Sequence, residues 1–444
     1  ARKERRTPIL VNGAWVRHYR HAPHDNASIR RAVTALLKPS PDAAVIAEYG
    51  PVAEWDVSEV EDFSFLFAHA NDFNADLSGW DVGKATNTDG MFSNATRFTS
   101  DLSRWDVGKA TNMGSMFYGA RRFTSDLSGW DVGNVNNMIG MFAGATSFTS
   151  DLSRWNVENV KSMGHMLSHA TSFTSDLSRW NVGNVEQMQQ MFWGATRFTS
   201  DLSKWEVGNV TYMYNMFSHA TSFTSDLSRW NVGKVKDMEC MFENATSFTS
   251  DLSKWYVGNV YDMERMFQGA TSFTSDLSKW NVEKVESMTN MFNSATSFTS
   301  DLSMWNVGKV NAMSLMFWGA TRFTSDLSRW DVGNVHVGYG MFVGAASFGP
   351  PLDLSEISGS KWTPESLANH LAFVESSDVL KTYRAMRRWR EVRELWYVAR
   401  SVVRALLRWT EERSIDEKRY DVDNPAVRTQ LDKELEEMQR DLTR

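Results

Sequence analysis

Cysteine and long hydrophobic runs are scarce in this sequence of 444 residues, and each shortage narrows what the protein can be. The one cysteine, Cys240, cannot form an internal disulfide, so packing has to stabilise the fold. No apolar run approaches the roughly 18 residues that a membrane-spanning helix needs, so no transmembrane segment is expected. A net charge of -7 gives no overall electrostatic case for nucleic-acid binding.

Recognisable catalytic motifs are missing as well. The sequence contains no HExxH motif, no CxxC pair, no nucleophile elbow and no glycine-rich phosphate loop. We therefore expect no enzyme activity, no cofactor and no metal. Two groups of histidines have spacings that metal sites use, although solvation or packing explains them better. They are His18, His21 and His24, and the pair His165 and His169.

The sequence is dominated by a repeat of 25 residues, marked most clearly by tryptophan. A typical unit, residues 148–172, reads FTSDLSRWNVENVKSMGHMLSHATS. One unit cannot bury its apolar face alone, whereas stacked neighbours can, so the repeat predicts a solenoid. The marker residues are Trp55, Trp80, Trp105, Trp130, Trp155, Trp180, Trp205, Trp230, Trp255, Trp280, Trp305 and Trp330.

The spacing of apolar residues within a unit predicts two kinds of secondary structure. Trp155 and Val157 alternate around a polar residue, which indicates a short strand, while Val160, Met163 and Met166 recur at helical spacing. Since stacked strands lie ~4.8 Å apart and packed helices ~8 to 10 Å apart, an array of both has to curve. We therefore predict an α/β fold: a curved, leucine-rich-repeat-like solenoid of about twelve strand-plus-short-helix coils.

The residue before the repeat alanine belongs to a restricted set of types. It is Gly, Asn, His or Ser in every unit, and the first three tolerate a positive φ angle. We predict that this column is left-handed and ends each helix. Its members are His69, Asn94, Gly119, Gly144, His169, Gly194, His219, Asn244, Gly269, Ser294, Gly319 and Gly344.

The repeat has visible ends, which predict three regions. Residues 1–46 form a basic N-terminal arm with a capping helix in SIRRAVTALLKP, residues 28–39, and residues 47–356 form the solenoid. Thr363 and Pro364 are typical of a helix start, and apolar residues keep helical spacing over 377–413. Residues 357–444 are therefore predicted to be an all-helical C-terminal extension.

The unit pattern DLSxWxV, then VxxMxxMF, then Ala and Phe, resembles the repeat of BspA-like leucine-rich-repeat surface proteins and of mycoplasma and Listeria lipoproteins. The resemblance spans about residues 47 to 350. The opening, IRRAVTALL followed by YGPVAEWDVS, is also similar to repeats of marine algae and of large algal DNA viruses. This family implies surface display, adhesion or protein binding, with no activity attached to the repeat. Because the sequence shows no signal peptide or lipobox, an intracellular or virion-associated location is favoured over the cell surface.

An aspartate recurs in every unit from Asp76 to Asp326, which places like charges close together. In one interpretation the carboxylates accept local backbone hydrogen bonds and are neutralised by basic residues three positions later. In the other they bind calcium between coils. We favour neutralisation, because most units carry a base at that offset: Arg104, Arg154, Arg179, Lys204, Arg229, Lys254, Lys279 and Arg329.

Variable positions are the best candidates for contact with a partner. Trp193 and Trp318 are candidate interface anchors, with the filling of grooves between coils as the alternative. A basic amphipathic stretch of the tail is the second candidate, since such helices dock on acidic surfaces. It carries Arg384, Arg387, Arg388, Trp389, Arg390 and Arg393.

Together these patterns favour a non-enzymatic scaffold that binds other proteins in a larger assembly, such as a virus particle or an algal complex, and docks mainly through its tail. The alternative is a secreted adhesin or receptor-like protein, which a eukaryotic secretory route would glycosylate at sequons such as Asn94 and Asn244. A minor alternative is an ice- or mineral-binding surface built on threonines such as Thr149, against which the long side chains beside them argue.

Overall fold

The chain folds as two units, Ala1–Asn259 and Val260–Arg444, in a computed structural model that describes residues 9–11, 14–16, 24–38, 49–327, 329–338 and 340–348. In the first unit, β1 (Ile9–Val11) and β2 (Ala14–Val16) pair antiparallel. Helix α1 covers Asn26–Leu36, and a 3-10 helix covers Val52–Glu54. The predicted C-terminal helical extension, 357–444, lies outside the described residues.

Each coil of the first unit is built from successive tight turns, as the segment around Trp155 shows. The N–H groups of Trp155, Val160 and Met166 donate to the carbonyl oxygens three residues earlier, at 3.0 to 3.1 Å. The N–H of Ala170 continues the pattern by donating to Leu167. The chain therefore rounds its corners through β-turns, and no α-helix forms in the coils that the structure describes.

Alternate backbone groups connect each coil to the next. The N–H groups of His165 and Leu167 donate to the carbonyl oxygens of Gln189 and Met191 in the next coil, at 2.8 and 2.9 Å. A parallel bridge lies just before this stretch and recurs along the unit. It links, in order, Asp62, Asn87, Asn112, Asn137, Ser162, Gln187, Tyr212 and Asp237.

The repeat solenoid is present, but the secondary structure predicted for its coil is wrong. The strand predicted at Trp155 and Val157 does not form; these residues lie between two turns, and parallel pairing occurs at Ser162 instead. The helix predicted from Val160 onward is a run of turns, because N–H groups that an α-helix would bond internally donate to the next coil. Without a helix, the mismatch in spacing that predicted curvature does not arise in the described coils.

Two columns within the run of turns have positive φ angles. The column predicted from His69 to Gly344 is confirmed, with all twelve residues between 53° and 73°. It ends no helix, since its members lie within the run of turns. The second column escaped prediction, because several of its side chains disfavour this conformation. It consists of Phe65, Gly90, Ser115, Gly140, His165, Gln190, Asn215, Cys240, Arg265, Asn290, Leu315 and Gly340.

Aromatic and aliphatic side chains fill the inside of each coil. Trp155, Met163 and Phe148 are buried, and the Phe123 and Phe148 rings of successive coils stack with their centroids 6.0 Å apart. The indole Nε1 of Trp155 donates to the carbonyl oxygen of Leu127 at 3.0 Å. Tryptophan therefore packs in the core and also satisfies a backbone acceptor of the preceding coil. The prediction that the Trp and Met columns form the core is confirmed.

The second unit repeats this construction over its described residues. The indole Nε1 of Trp305 donates to the carbonyl oxygen of Leu277 at 2.9 Å, and the rings of Phe292 and Phe317 stack at 5.6 Å. Its parallel bridges link, in order, Asp262, Ser287, Ala312 and Val337.

Helix α1 lies against the first coil and bonds to its open edge. Asp25 caps the helix by accepting from the N–H of Ser28 at 2.7 Å. Arg30 donates to the carbonyl oxygen of Ser64 at 2.8 Å, and Asn26 Oδ1 accepts from the N–H of Asp62 at 3.0 Å. In interior coils these backbone positions bond to the preceding coil. The helix therefore satisfies edge groups that no coil covers here.

Candidate interaction surfaces

An exposed column of aspartates runs along the first unit. Asp151 Oδ1 accepts from the N–H of Ser153 at 2.9 Å and from the hydroxyl of Ser175, in the next coil, at 3.0 Å. These hydrogen bonds, led by that of the Ser153 backbone, lower the pKa of Asp151. The predicted local turns therefore form, and the carboxylates stay charged. This aspartate column comprises Asp101, Asp126, Asp151, Asp176, Asp201 and Asp226.

A buried column of serines connects neighbouring coils beneath the aspartates. Ser175 Oγ accepts from the N–H of Leu152 at 2.9 Å while donating to Asp151. One hydroxyl thus satisfies a buried amide and binds a carboxylate of the preceding coil. The sequence carried a signal for this role in the invariant serine that follows each exposed threonine. The serine column comprises Ser125, Ser150, Ser175, Ser200, Ser225 and Ser250.

The basic residues three positions after the aspartates are exposed and form no ion pair within the described part of the chain. Arg154 also lowers the pKa of Asp151 through its charge, after the hydrogen bonds from Ser153 and Ser175. The predicted relief by the bases is therefore present without close ion pairs, and the serine hydrogen bonds are the larger cause. The basic column of the first unit comprises Arg104, Arg154, Arg179, Lys204, Arg229 and Lys254.

Exposed threonines form a third column beside the aspartates. In the second unit, residues of all three columns line one shallow groove, which includes Thr299, Asp301, Thr324 and Arg329. The threonine, aspartate and basic positions therefore share one surface. The threonine column of the first unit comprises Thr99, Thr124, Thr149, Thr174, Thr199, Thr224 and Thr249.

The two tryptophans predicted as interface anchors have different surroundings. Trp193, in the first unit, is half-buried and packs against His169 with ring centroids 4.4 Å apart. Trp318, in the second unit, leaves 43% of its surface exposed. Trp318 is the better placed of the two to meet a partner, and partner binding by either residue stays a prediction.

Several exposed apolar residues escaped the sequence analysis. Phe65 and Tyr256 are 57% and 60% exposed, and Met304 is 69% exposed. In most other coils the same position carries a polar residue or glycine. An apolar residue at a position that is otherwise polar was therefore the sequence signal that could have identified each of them. Tyr118, which is also exposed, lies 3.8 Å from where a Cβ at Gly140 would be.

Three of the histidines singled out by their spacing lie in the described part of the chain, and each contacts or is partly covered by neighbouring side chains. The His24 ring lies 5.0 Å from Tyr49 and 5.1 Å from Trp55, and burial lowers the pKa of His165 and His169. Among the described residues, no three His, Cys, Asp or Glu side chains form a group that could hold a metal ion. His18 and His21 fall outside that part of the chain.

The tail candidates Arg384, Arg387, Arg388, Trp389, Arg390 and Arg393 lie outside the described residues. No helix in the part of the chain that the structure describes is long and apolar enough to cross a membrane.

The fold and these surfaces define a tandem-repeat solenoid protein. Its coils bury the same types of side chain and differ in the side chains that they expose. A family model described as "Mycoplasma protein of unknown function, DUF285" matches residues 47–130, 101–193, 123–218, 173–276 and 250–356. Since these matches cover more than half of the chain, the protein belongs to this family. No curated protein matches it.

Three solved structures resemble parts of the chain at low identity. The TLR13–ssRNA13 complex aligns with 66% of this chain and 45% of its own, at 13% identity and a TM-score of 0.24. The Arabidopsis receptor kinase HAESA, in complex with the peptide hormone IDA and the co-receptor SERK1, aligns with 64% of this chain and 62% of its own, at 10% identity and a TM-score of 0.17. The functional domain of InlJ from Listeria monocytogenes aligns with 63% of this chain and 66% of its own, at 10% identity and a TM-score of 0.15. The chain spans less than half the length of the first of these.

Proposed function

We propose that this protein is a non-enzymatic scaffold that binds other proteins through the exposed side chains of its solenoid. The observation that carries the proposal is that the coils are self-sufficient. Among the described residues, only Gln189 Oε1 and Ser314 Oγ are buried side-chain polar atoms without a hydrogen-bond partner. Exposed side chains that differ from coil to coil are therefore not needed to build the core, and they are available for recognition.

The exposed positions change chemistry along the chain while the core does not. The position after Met-Phe, for example, carries an exposed aromatic side chain at Tyr118 and Trp318 but the half-buried acidic Glu243 in another coil. Aromatic anchors of this kind dominate protein interfaces, whereas scattered polar groups set specificity. The basic tail is proposed to dock the protein in its assembly. The resemblance points to a virus particle or an algal complex as the context.

The test is affinity capture from native extract with quantitative mass spectrometry of the bound proteins. Four baits are compared: the full chain, a chain ending at Lys361, Trp318→Ala and the control Thr299→Ala, an exposed residue whose type is the same in the coils from Thr99 to Thr324. The proposal predicts a reproducible partner set that is lost with the tail or reduced by Trp318→Ala, but kept by Thr299→Ala. If no bait captures a stoichiometric partner, the scaffold function is refuted. A secreted adhesin would instead carry N-glycans at Asn94 or Asn244 when purified from its source.

The threonine column supports a second candidate, an ice- or mineral-binding surface. Its residues, such as Thr149 and Thr174, are exposed at the same position of successive coils. The charged columns beside them, with Asp151 and Arg154, make a less regular surface for ordered water. Thermal hysteresis of the purified chain tests this candidate, and its absence would remove the ice-binding form.

A further inference from the structure

The surface shared by the aspartate and basic columns carries both signs of charge in parallel rows. Asp151, Asp176, Asp201 and Asp226 occupy four consecutive coils, and a base stands three positions after each of them. All eight side chains are exposed. The aspartates are held by serine hydrogen bonds, and the bases form no ion pair within the described residues. The first unit therefore presents two parallel rows of opposite charge whose members lie near each other without forming close ion pairs.

We propose that this surface pairs two copies of the chain side by side. When two such surfaces face one another with their stacks parallel, a two-fold axis along the stack places the aspartate column of each copy opposite the basic column of the other. Reversing one copy would place like charges opposite each other. The arrangement is isologous, since the same patch serves both partners. The serine positions between the two columns, such as Ser153, lie on the axis.

A second copy fits this surface better than a charged polymer does. A polyanion attracted to Arg154 and Arg179 would meet the carboxylates of Asp151 and Asp176 beside them, and a polycation would meet the bases. In a second copy the charges also repeat from coil to coil at the same distance, ~4.8 Å between paired backbones, because the two chains are identical. Since one exposed ion pair contributes little, the repetition over four consecutive coils is what makes the contact effective.

Two variant chains each remove the charge of one column and keep the turns that hold the aspartates. The first carries Arg154→Gln, Arg179→Gln, Lys204→Gln and Arg229→Gln and keeps only the acidic row. The second carries Asp151→Asn, Asp176→Asn, Asp201→Asn and Asp226→Asn and keeps only the basic row. The asparagine side chain retains an oxygen that can accept the Ser153 N–H. A control carries Arg121→Gln and Arg122→Gln, exposed bases that belong to neither column.

The measurement is sedimentation equilibrium of the full-length chains, with circular dichroism to confirm folding. At ~0.1 M ionic strength, where the Debye length is ~10 Å, the unmodified chain and the control should dimerise, and ~1 M salt should dissociate them. Each variant alone should raise the dissociation constant roughly tenfold or more, because every pair of the network is lost. Mixing the two variants should restore a heterodimer.

Two results would overturn the proposal. One is a monomeric unmodified chain at the highest soluble concentration. The other is a dimer that both variants form as readily as the unmodified chain, which would place the contact elsewhere. The proposal concerns pairing of identical chains and does not rest on the heterologous partners proposed above.

Discussion

Removing one hydroxyl of the serine column should loosen the junction between two coils. Ser175 Oγ accepts the N–H of Leu152 at 2.9 Å and donates to Asp151 at 3.0 Å, and both Ser175 and Leu152 are buried. Ser175→Ala leaves the Leu152 amide without a partner and away from water. An unsatisfied buried donor costs about 1–3 kcal/mol, so the local opening equilibrium should rise roughly 5- to 150-fold.

Hydrogen–deuterium exchange of the peptide that contains Leu152 is the appropriate assay, because a long repeat array need not unfold in a single step. The matched control is Ser172→Ala, which removes the same kind of hydroxyl from a half-buried position three residues earlier in the chain. Its effect should stay within about 0.5 kcal/mol. If exchange at Leu152 accelerates no more in Ser175→Ala than in Ser172→Ala, the serine bridge does not stabilise the junction.

Three further predictions address the turns, the first coil and the carboxylates. Gly194→Ala should destabilise the chain by about 1–2 kcal/mol or more, because φ is +67° and its Cβ would lie 2.5 Å from a ring nitrogen; Gly129→Ala, with open space around it, should melt like the parent. Arg30→Ala should lower the free energy of local opening of the first coil by about 1 kcal/mol, which hydrogen–deuterium exchange would detect as faster exchange. Arg31→Ala, which changes an exposed residue, should leave that exchange unchanged. Because the pKa of Asp151 is lowered on folding, its stabilisation is complete above the ordinary value of 3.8 and is lost as pH falls below it. Asp151→Asn should therefore make the melting temperature fall less steeply with pH in that acidic range, by the contribution of one carboxylate among several, and an unchanged slope would contradict the role given to Asp151.

Much of the coil's interior could be predicted from side-chain types. The Trp and Met columns are buried as expected, and the left-handed column follows from its Gly, Asn and His residues. The local turn at Asp151 also follows, since Asp-Leu-Ser is a favourable sequence for a side chain that bonds the backbone two residues on. These features depend on local preference or on burial alone, which side-chain identity reports directly.

The candidate surface was only partly predictable. The sequence placed Arg154 three residues after Asp151 and thereby favoured neutralisation by the base, because charge is visible in a sequence and a bridging hydroxyl is not. The structure adds the hydroxyl of Ser175, from the next coil, which donates to the carboxylate. Exposure of Trp318 and partial burial of Trp193 also depend on the neighbouring coil, as the His169 ring against Trp193 shows.

The sequence by itself determined the period, the stacking and the identity of the buried columns, because a strict repeat of apolar residues can be buried only by neighbouring copies. The tertiary structure decided the path of the backbone. Apolar residues spaced three and four apart fit a helix or a run of turns equally well, and only the stack supplies the carbonyl oxygens that draw alternate N–H groups, such as that of His165, out of the coil. The same bonds hold Gln190 and Arg265 at positive φ, since inter-coil hydrogen bonds repeated from coil to coil outweigh the local cost of the left-handed conformation.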